Sequence, residues 1–378
     1  MKKVLILTVS SGDGYNKSAR AIVNGIAQRY PSVNFRIVDV FKGNKQMDFL
    51  ISEEKTMAQK LAHKIERMRY AKSKRTNDEE TLRDNVSKYT DAIVDYVKNN
   101  IHTYEPDTII CTHIFPAIVL SDLKANGFEP VAKAKKVYVE CNYVVSPYTR
   151  LCKNMDYYIV PTDDMAKEYK KFGIKDTDKI KAFGIPIISK IENITLKEDA
   201  RELIKIDKDS HVILLSSGDS NEYGFFNLAK AINAKYPDSM LICVCNKNTK
   251  LKDKLIVYVR KNNIKNMTVY GHTNNMAIIM SASDVVLGKT GGVEVAEAIA
   301  KQIPYISVLK LKGQDLDNMK YLKQKGAILN GKNKNKVLNA LSSIIDDTKA
   351  KAKIKKQMEK LYKYNATDEL VKFLYKTK

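Results

Sequence analysis

Cysteine is scarce in this sequence, and the arrangement of the few cysteines argues against two kinds of site. The 378 residues include five cysteines, an odd number, and no two of them form a C-x-x-C pair. Neither a disulfide framework nor a zinc site of the usual spacing is therefore supported. We expect the reducing cytosol as the compartment, because disulfide-stabilised chains are typical of oxidising compartments.

Long apolar runs are also missing. No stretch approaches the ~18 consecutive apolar residues that a membrane-spanning helix needs. The opening run from Val4 to Val9 is short and leads into Gly12-Asp13-Gly14 instead of a signal-peptide cleavage site. We interpret this run as a first strand, and we expect any membrane contact to be peripheral.

Acidic residues are few relative to basic ones. The chain contains 65 lysines and arginines against 43 aspartates and glutamates, a formal net charge of +22. Such a charge attracts polyanions, so nucleic acid and anionic lipid headgroups are both candidate partners, unless the charge only reflects a lysine-rich proteome. No RNP-like run, zinc finger or aromatic-studded basic groove is present, which argues against nucleic acid.

What the sequence does contain is a repeated alternation of short apolar strands and helical segments. This alternation is typical of βαβ units and predicts an α/β protein with two Rossmann-like parallel sheets. The predicted strands are Val4–Val9, Phe35–Val40, Thr108–Cys111, Lys136–Val139, Tyr157–Val160, Val212–Leu215, Met240–Cys245, Met267–Val269, Asp284–Leu287 and Tyr305–Val308.

The pattern restarts near Gly184-Ile185-Pro186, which divides the chain into domains. We expect an N-terminal domain over residues 1–185 and a C-terminal domain over residues 186–350, with a cleft between them. Residues 351–378 are predicted to form a basic helix that packs back on the N-terminal domain.

The segment from Met47 to Ser73 fits neither sheet pattern, and a basic amphipathic stretch runs from Met57 to Arg75. Its apolar residues recur at i, i+4, i+8 and i+11, and lysines and arginines fill the remaining face. The ordinary interpretation is a helix that packs its apolar side on the core. The alternative is a basic helix that lies at a membrane surface.

Two glycine turns follow predicted strands at positions where anions bind. Gly12-Asp13-Gly14 lacks the full G-x-G-x-x-G spacing because position 17 is Lys17, so it does not indicate NAD. The second turn is richer: Gly291 and Gly292 permit close backbone approach to a diphosphate, Thr290 adds a hydroxyl, and Glu297 suits ribose hydroxyls. Gly313-Gln314-Asp315 then offers polar groups for sugar hydroxyls.

This ordered set resembles the monogalactosyl- and processive glucosyl-diacylglycerol synthases, bacterial glycosyltransferases with a GT-B fold. Their pattern is K-P-G-G-L-T-x-x-E-A, a strand, then G-Q-E-x-x-N; here it reads Lys289-Thr290-Gly291-Gly292 to Glu297-Ala298, then Gly313-Gln314-Asp315 and Asn318. Similarity also runs through Asn246-Lys247-Asn248 and Gly271-His272-Thr273, and it spans nearly the whole chain.

The resemblance implies a UDP-sugar donor in the C-terminal half, a lipid acceptor addressed by the N-terminal half, and inverting transfer with neither cofactor nor bound metal. It implies that Glu297 holds the ribose and that Gln314 and Asp315 hold the donor sugar. With the glycine turns included, the expected donor-binding residues are Gly12, Gly14, Ser217, Gly218, Lys247, His272, Thr290, Gly291, Gly292, Glu297, Gln314 and Asp315.

Two departures from the family pattern stand where chemistry is expected. The family's G-x-G-H loop has Tyr15 after Gly14 here, and its T-D-Y or T-D-F element reads Cys141-Asn142-Tyr143. A neutral amide cannot accept the proton of an acceptor hydroxyl. The candidate substitutes are His113, Glu140 and Asp13, all expected at strand ends or in loops.

The leading hypothesis is therefore an enzyme that moves a hexose from UDP-glucose or UDP-galactose to diacylglycerol or a related lipid. It would act in the cytoplasm, at the anionic inner face of the cell membrane. The alternative is a non-catalytic nucleotide-sugar-binding protein, because Tyr15 and Asn142 replace acceptor-side groups.

Overall fold

The structure is a computed structural model that describes residues 1–10, 13–47, 68–188, 196–217, 222–308 and 311–377. Gly12, Gly218 and most of the amphipathic segment that starts at Met57 lie outside these ranges. The chain divides into two compact units. Unit 1 comprises Met1–Ser189 with Lys363–Lys378, and unit 2 comprises Lys190–Tyr362.

Unit 1 is built on a six-stranded sheet in which every neighbouring pair of strands is parallel, in the order β2-β1-β3-β4-β5-β6. The strands are β1 (Lys3–Thr8), β2 (Asn34–Asp39), β3 (Thr108–Cys111), β4 (Lys135–Val139), β5 (Tyr157–Ile159) and β6 (Ile180–Lys181). Alternate residues of a strand point to opposite faces, so a strand covered on both sides is apolar throughout. In β1 the residues from Val4 to Thr8 are all buried.

Helices connect these strands and cover the sheet. They are α1 (Gly14–Arg29), α2 (Glu79–Tyr104), α3 (Ile114–Ala125), α4 (Glu129–Lys133) and α5 (Asp163–Tyr169), with a 3₁₀ turn at Pro147–Leu151. The start of α2 is fixed by Asp78, whose carboxylate accepts from the backbone N–H of Thr81 at 2.9 Å. Such a cap satisfies a helix N–H that has no partner within the helix.

Unit 2 repeats the architecture with the strand order β12-β11-β10-β7-β8-β9, again parallel throughout. Its strands are β7 (Val212–Ser216), β8 (Met240–Val244), β9 (Met267–Tyr270), β10 (Val285–Gly288), β11 (Tyr305–Val308) and β12 (Ile328–Gly331). Its helices are α6 (Lys197–Leu203), α7 (Glu222–Lys235), α8 (Thr249–Lys261), α9 (Met276–Ala282), α10 (Gly292–Ala300), α11 (Gly313–Gln324), α12 (Lys334–Ile345) and α13 (Thr348–Leu361).

The end of the chain differs from the single helix expected over residues 351–378. Helix α13 belongs to unit 2, whereas a separate helix, α14 (Ala366–Lys376), belongs to unit 1. The break has a backbone cause, because Asn365 adopts the left-handed conformation with φ of 55°. Helix α14 packs on α1, where Arg29 Nε and Asp368 Oδ1 lie 2.5 Å apart.

Across the ranges that the structure describes, no helix is long and apolar enough to span a bilayer.

Candidate functional site

Each sheet has a point where the strand order reverses, and several of the predicted site residues follow the strands on either side of it. In unit 1, β1 lies between β2 and β3, so the chain leaves β1 to one side and later returns on the other. In unit 2, β7 lies between β10 and β8 in the same way. Ligands of open α/β sheets bind outside the carboxyl ends of the strands at such switch points.

Tyr15 and His113 meet at the switch point of unit 1. Tyr15 is in the first turn of α1, and His113 is the residue that caps the start of α3. Their ring centroids lie 4.6 Å apart with the planes at 86°. This is an edge-to-face contact of the kind that aromatic rings prefer.

A backbone hydrogen bond occupies one ring nitrogen of His113. The side chain is 8% exposed, and its Nδ1 accepts from the Phe115 backbone N–H at 3.2 Å. Burial lowers the pKa of His113 to about 3, so the ring is neutral at physiological pH. Because Nδ1 is an acceptor, the ring proton is assigned to Nε2, which leaves no nitrogen placed to accept a proton.

Glu140 follows β4 and is almost fully enclosed, with 1% of its surface exposed. Its Oε2 accepts from Tyr138 Oη at 3.0 Å, and its Oε1 accepts from the Asn142 backbone N–H at 3.2 Å. Burial raises the pKa of Glu140 to about 7, although these hydrogen bonds favour the ionised form. The carboxyl group therefore titrates near neutral pH while it is held away from solvent.

Asn142 joins these groups. Its Nδ2 donates to Glu140 Oε1 at 3.3 Å and to Tyr15 Oη at 3.3 Å. The two positions at which the sequence departs from the family pattern are thus in direct contact. The structure brings together four of the five predicted acceptor-side residues in one connected cluster.

The fifth, Asp13, stands at the start of α1 and is half-buried. Its backbone carbonyl accepts from the Lys17 N–H at 3.0 Å, which begins the helix. Gly14 is the first residue of α1. Asp13 is the predicted acceptor-side carboxyl group that is open to solvent, in contrast to Glu140.

In unit 2, the turn between β10 and α10 is tied to the start of α11. Thr290 is fully buried, and its Oγ1 donates to the Asp315 carbonyl at 2.6 Å. The Thr290 carbonyl in turn accepts from Asn318 Nδ2 at 3.0 Å. The predicted diphosphate turn and the predicted sugar-binding residues are therefore held together by two hydrogen bonds.

The two glycine positions of this turn differ in their surroundings. A Cβ added at Gly291 would meet no atom within 4 Å, so open space adjoins the backbone there. A Cβ added at Gly288 would lie 2.5 Å from Glu294 Oε1 and from Tyr305 Oη. Gly288 is required by packing, whereas Gly291 leaves room for a ligand to approach the backbone.

Sequence reasoning missed a tyrosine that supports the turn. Tyr305 in β11 is fully buried, and its Oη donates to the Lys289 carbonyl and lies 3.3 Å from Glu294 Oε1. A tyrosine in a predicted buried strand is ordinarily part of the core, so no local signal marks this role. Gly288 adjoins this tyrosine, since a Cβ at position 288 would lie 2.5 Å from Tyr305 Oη.

Four other predicted donor residues are buried or half-buried in α10 and α11. Glu297 is buried within α10, with 2% of its surface exposed. Gln314 and Asp315 are half-buried in the first turn of α11; burial raises the pKa of Asp315, and the nearby Lys289 opposes this. Gly292 begins α10 and is buried.

Ser217, Lys247 and His272 follow β7, β8 and β9 in that order. Ser217 is buried beside the switch point, and its N–H donates to the Val244 carbonyl at 2.9 Å. Lys247 and His272 are exposed. The strand before His272 lies three strand spacings from β10, about 14 Å.

Comparison with known proteins identifies both halves. Residues 15–187 match the family model for monogalactosyldiacylglycerol (MGDG) synthase. Residues 224–372 match the glycosyltransferase family 28 C-terminal domain. The N-terminal half of the chain is thus similar to the MGDG synthase family, and the C-terminal half to the glycosyltransferase family 28 C-terminal domain. The resemblance inferred from the sequence motifs is confirmed.

One curated relative is the processive diacylglycerol beta-glucosyltransferase of Staphylococcus saprophyticus. It is 27% identical over 333 residues, which cover 86% of this chain and 80% of the relative. The corresponding enzyme of Staphylococcus carnosus is 25% identical over 367 residues, which cover 95% of this chain and 89% of the relative. These relatives extend the similarity across both units.

Solved structures support the GT-B fold. The UDP-GlcNAc 2-epimerase from Neisseria meningitidis bound to UDP-GlcNAc matches with a TM-score of 0.66 at 14% identity, with full coverage of both chains. At this identity the match concerns the fold alone. The predicted architecture of two Rossmann-like parallel-sheet domains is confirmed.

Proposed function

We propose that the protein transfers a hexose from UDP-glucose or UDP-galactose to a diacylglycerol-type lipid, with inversion and without a bound metal or cofactor. The observation that carries the proposal is the hydrogen-bonded Thr290–Asp315 connection beside the open backbone at Gly291. This arrangement lies in the half that matches the family 28 domain. The staphylococcal relatives are diacylglycerol beta-glucosyltransferases, which supports a diacylglycerol acceptor.

The donor would bind unit 2 along α10 and the start of α11. The N-terminus of α10 offers backbone N–H groups and a positive dipole end to the diphosphate. Glu297 would accept from the ribose hydroxyls, and Gln314 and Asp315 would contact the sugar. Thr290 keeps the phosphate-binding turn and the sugar-binding helix at a fixed distance, since its hydroxyl bridges them.

The acceptor would meet the cluster in unit 1. In an inverting transfer the acceptor oxygen attacks the anomeric carbon, the bond to the UDP oxygen breaks with its electron pair, and a base takes the hydroxyl proton. We assign that base to Asp13, because it is the half-exposed carboxylate at the switch point. His113 has its Nδ1 occupied, and Glu140 is enclosed by Tyr138 and Asn142.

The test is a panel of radiolabelled UDP-sugars incubated with the protein and with liposomes that contain diacylglycerol. We expect a labelled glycolipid with UDP-glucose or UDP-galactose, and a loss of about 10² or more in rate for Asp13→Asn. Binding of UDP by calorimetry without any glycolipid would instead support the non-catalytic nucleotide-sugar-binding protein. Absence of both binding and product would refute the proposed function.

The same proposal places the protein in the cytoplasm, associated peripherally with the inner face of the cell membrane. The net charge of +22 favours an anionic membrane surface as a partner.

A further inference from the structure

Glu297 is an acid in a place that opposes charge. It stands in the middle of α10 with 2% of its surface exposed. The proposed function has its carboxylate accept from the ribose hydroxyls of the donor. A buried carboxylate loses its hydration, so it is costly to keep ionised without a positive charge or hydrogen-bond donors beside it. A positive partner close to Glu297 is therefore expected.

Other acids make the surroundings of Glu297 more negative. Burial raises the pKa of Tyr305 well above its ordinary range, and the negative charges of three acids add to this rise: Glu294, Asp315 and Glu297. The three carboxyl groups thus act on one buried tyrosine. A diphosphate at the N-terminus of α10 would add further negative charge. The charge of Lys289 acts on Asp315, and a second lysine acts on Glu297.

That second lysine is Lys301, which directly follows α10. Its backbone N–H donates to the Glu297 carbonyl at 3.2 Å, so helical geometry extends to this position. Residues four apart share one face of a helix, and an acid that precedes a lysine by four residues is the favourable order. Burial lowers the pKa of Lys301, and the negative charge of Glu297 opposes this lowering. The two side chains therefore interact by charge.

The directions of the two side chains connect Lys301 with the donor turn. Side chains of a helix lean toward its N-terminus, over the preceding turn. Glu297 therefore leans toward the start of α10, where Gly291 leaves open space beside the backbone. Lys301 leans over the turn that carries Glu297. The lysine thus stands behind the carboxylate, on the side away from the donor turn.

A serine of the neighbouring helix fixes the ammonium group. Lys301 Nζ donates to Ser281 Oγ at 2.6 Å, and Ser281 is buried near the end of α9. Lys301 is half-buried, so its long side chain is held along the protein instead of extending into solvent. A carboxylate has two oxygens with several acceptor positions. Glu297 can therefore face the lysine on one side and two vicinal hydroxyls on the other.

We propose that Lys301 is a positioning residue for donor binding, which keeps Glu297 ionised and directed at the ribose. The inference rests on the proposed function, which assigns Glu297 to the ribose hydroxyls. In this role Lys301 acts through Glu297 and does not contact the donor. Without the lysine charge the buried carboxyl group would take up a proton or turn away, and a protonated carboxyl group has fewer acceptor positions for the two hydroxyls.

The experiment measures, by calorimetry, the affinity of the full chain for UDP and for 2′,3′-dideoxy-UDP, which lacks both ribose hydroxyls. The ratio of the two affinities reports the ribose contact, because damage to the fold or to phosphate binding weakens both ligands together. The test variant is Lys301→Met, which keeps an unbranched side chain of good helix propensity. Lys301→Arg restores a positive charge.

Lys235→Met is the matched control. Lys235 stands in the last turn of α7, and its Nζ also donates to a serine of another helix, Ser342 Oγ, at 2.8 Å. The control therefore removes the same kind of contact between helices in the same unit, without removing the charge beside Glu297.

We expect the wild type to bind UDP at least about tenfold more tightly than the dideoxy compound. Lys301→Met should reduce this preference to about threefold or less, while its affinity for the dideoxy compound changes little. Lys301→Arg and Lys235→Met should keep the preference. A full preference in Lys301→Met, or an equal loss of affinity for both ligands, would overturn the inference and show that Lys301 only ties α10 to α9.

A further variant separates this inference from the proposed function. Glu297→Ala should lose the preference, and adding Lys301→Met should reduce it no further, because both changes act on one contact. A preference lost in Glu297→Ala and kept in Lys301→Met would leave the proposed function standing and overturn the role of Lys301. A wild type without any preference, or one that Glu297→Ala leaves intact, would show that Glu297 does not hold the ribose and would overturn both.

Discussion

The side-chain amide of Asn142 donates to Tyr15 Oη at 3.3 Å, across 127 positions of sequence. Both residues replace family-typical groups, a histidine and an aspartate, and the structure shows that the replacements are neighbours. The same amide donates to Glu140 Oε1 at 3.3 Å. An amide can bridge a carboxylate and a phenol in this way because it carries two N–H donors, which an aspartate lacks.

Restoring the family aspartate should therefore be harmful. In Asn142→Asp a second carboxyl group would stand beside Glu140, and like charges at this distance force one group to take up a proton. The bridge to Tyr15 would also be lost. We expect a loss of about 1–3 kcal/mol in the free energy of unfolding at pH 8, measured by chemical denaturation, and lower glycolipid formation.

The double variant Asn142→Asp with Glu140→Gln is the control, since it removes one of the two charges and should recover part of the stability. A rise in glycolipid formation by Asn142→Asp of about 10² or more would contradict this interpretation. It would mean that the chain has lost a base which the aspartate restores.

Glu140 should give the protein a specific pH dependence of stability. Its pKa is raised from 4.5 to about 7, so the folded state holds this proton more tightly than the unfolded state does. The stabilising contribution is complete below pH 4.5 and is lost as the pH rises through 7, by about 3 kcal/mol in all. His113 acts oppositely: its pKa is lowered to about 3, so its burial disfavours the folded state below pH 6.5.

The variant Glu140→Gln isolates the first effect, because its amide can still contact Tyr138 and Asn142. Relative to the wild type, its free energy of unfolding should improve by about 2.5 kcal/mol between pH 5 and pH 8. Urea denaturation at the two pH values measures this difference. A constant difference between wild type and variant would show that the Glu140 carboxyl group titrates with an ordinary pKa.

The hydroxyl of Thr290 should matter for both stability and donor binding. In Thr290→Val the Asp315 carbonyl loses its donor, at a cost of about 1–2 kcal/mol in the free energy of unfolding. The affinity for UDP, measured by calorimetry, should fall because the turn is no longer tied to α11. Thr290→Ser keeps a hydroxyl and should behave nearly as the wild type; a serine variant as weak as the valine one would contradict this role.

The sequence was sufficient for the architecture because short buried strands followed by glycine turns and helices leave few alternatives to parallel sheets. It was insufficient for the last strand of each sheet. Strand β6 has only two residues, and β12 reads Ile-Leu-Asn-Gly, so neither has a distinctive apolar pattern. In the candidate site, the turn residues carry local signals. The contacts of Tyr15 with Asn142 and of Tyr305 with Glu294 do not, because they depend on tertiary packing.

The two glycines of the donor turn offer a matched pair of substitutions that separates folding from ligand binding. At Gly288 an alanine methyl group would lie 2.5 Å from Glu294 Oε1 and Tyr305 Oη, so Gly288→Ala should displace the tyrosine that holds the turn. Overpacking of this kind costs about 1–3 kcal/mol.

At Gly291 the methyl group would meet nothing within 4 Å, and φ of −65° is acceptable to alanine. Gly291→Ala should therefore cost no more than about 1 kcal/mol, because Gly291 is the N-cap of α10 and alanine is a poorer cap than glycine. If the diphosphate approaches the backbone at this point, the added methyl group occupies the approach path, and the affinity for UDP should fall by about tenfold or more in calorimetry. A Gly291→Ala protein that binds UDP as tightly as the wild type would place the diphosphate elsewhere on unit 2.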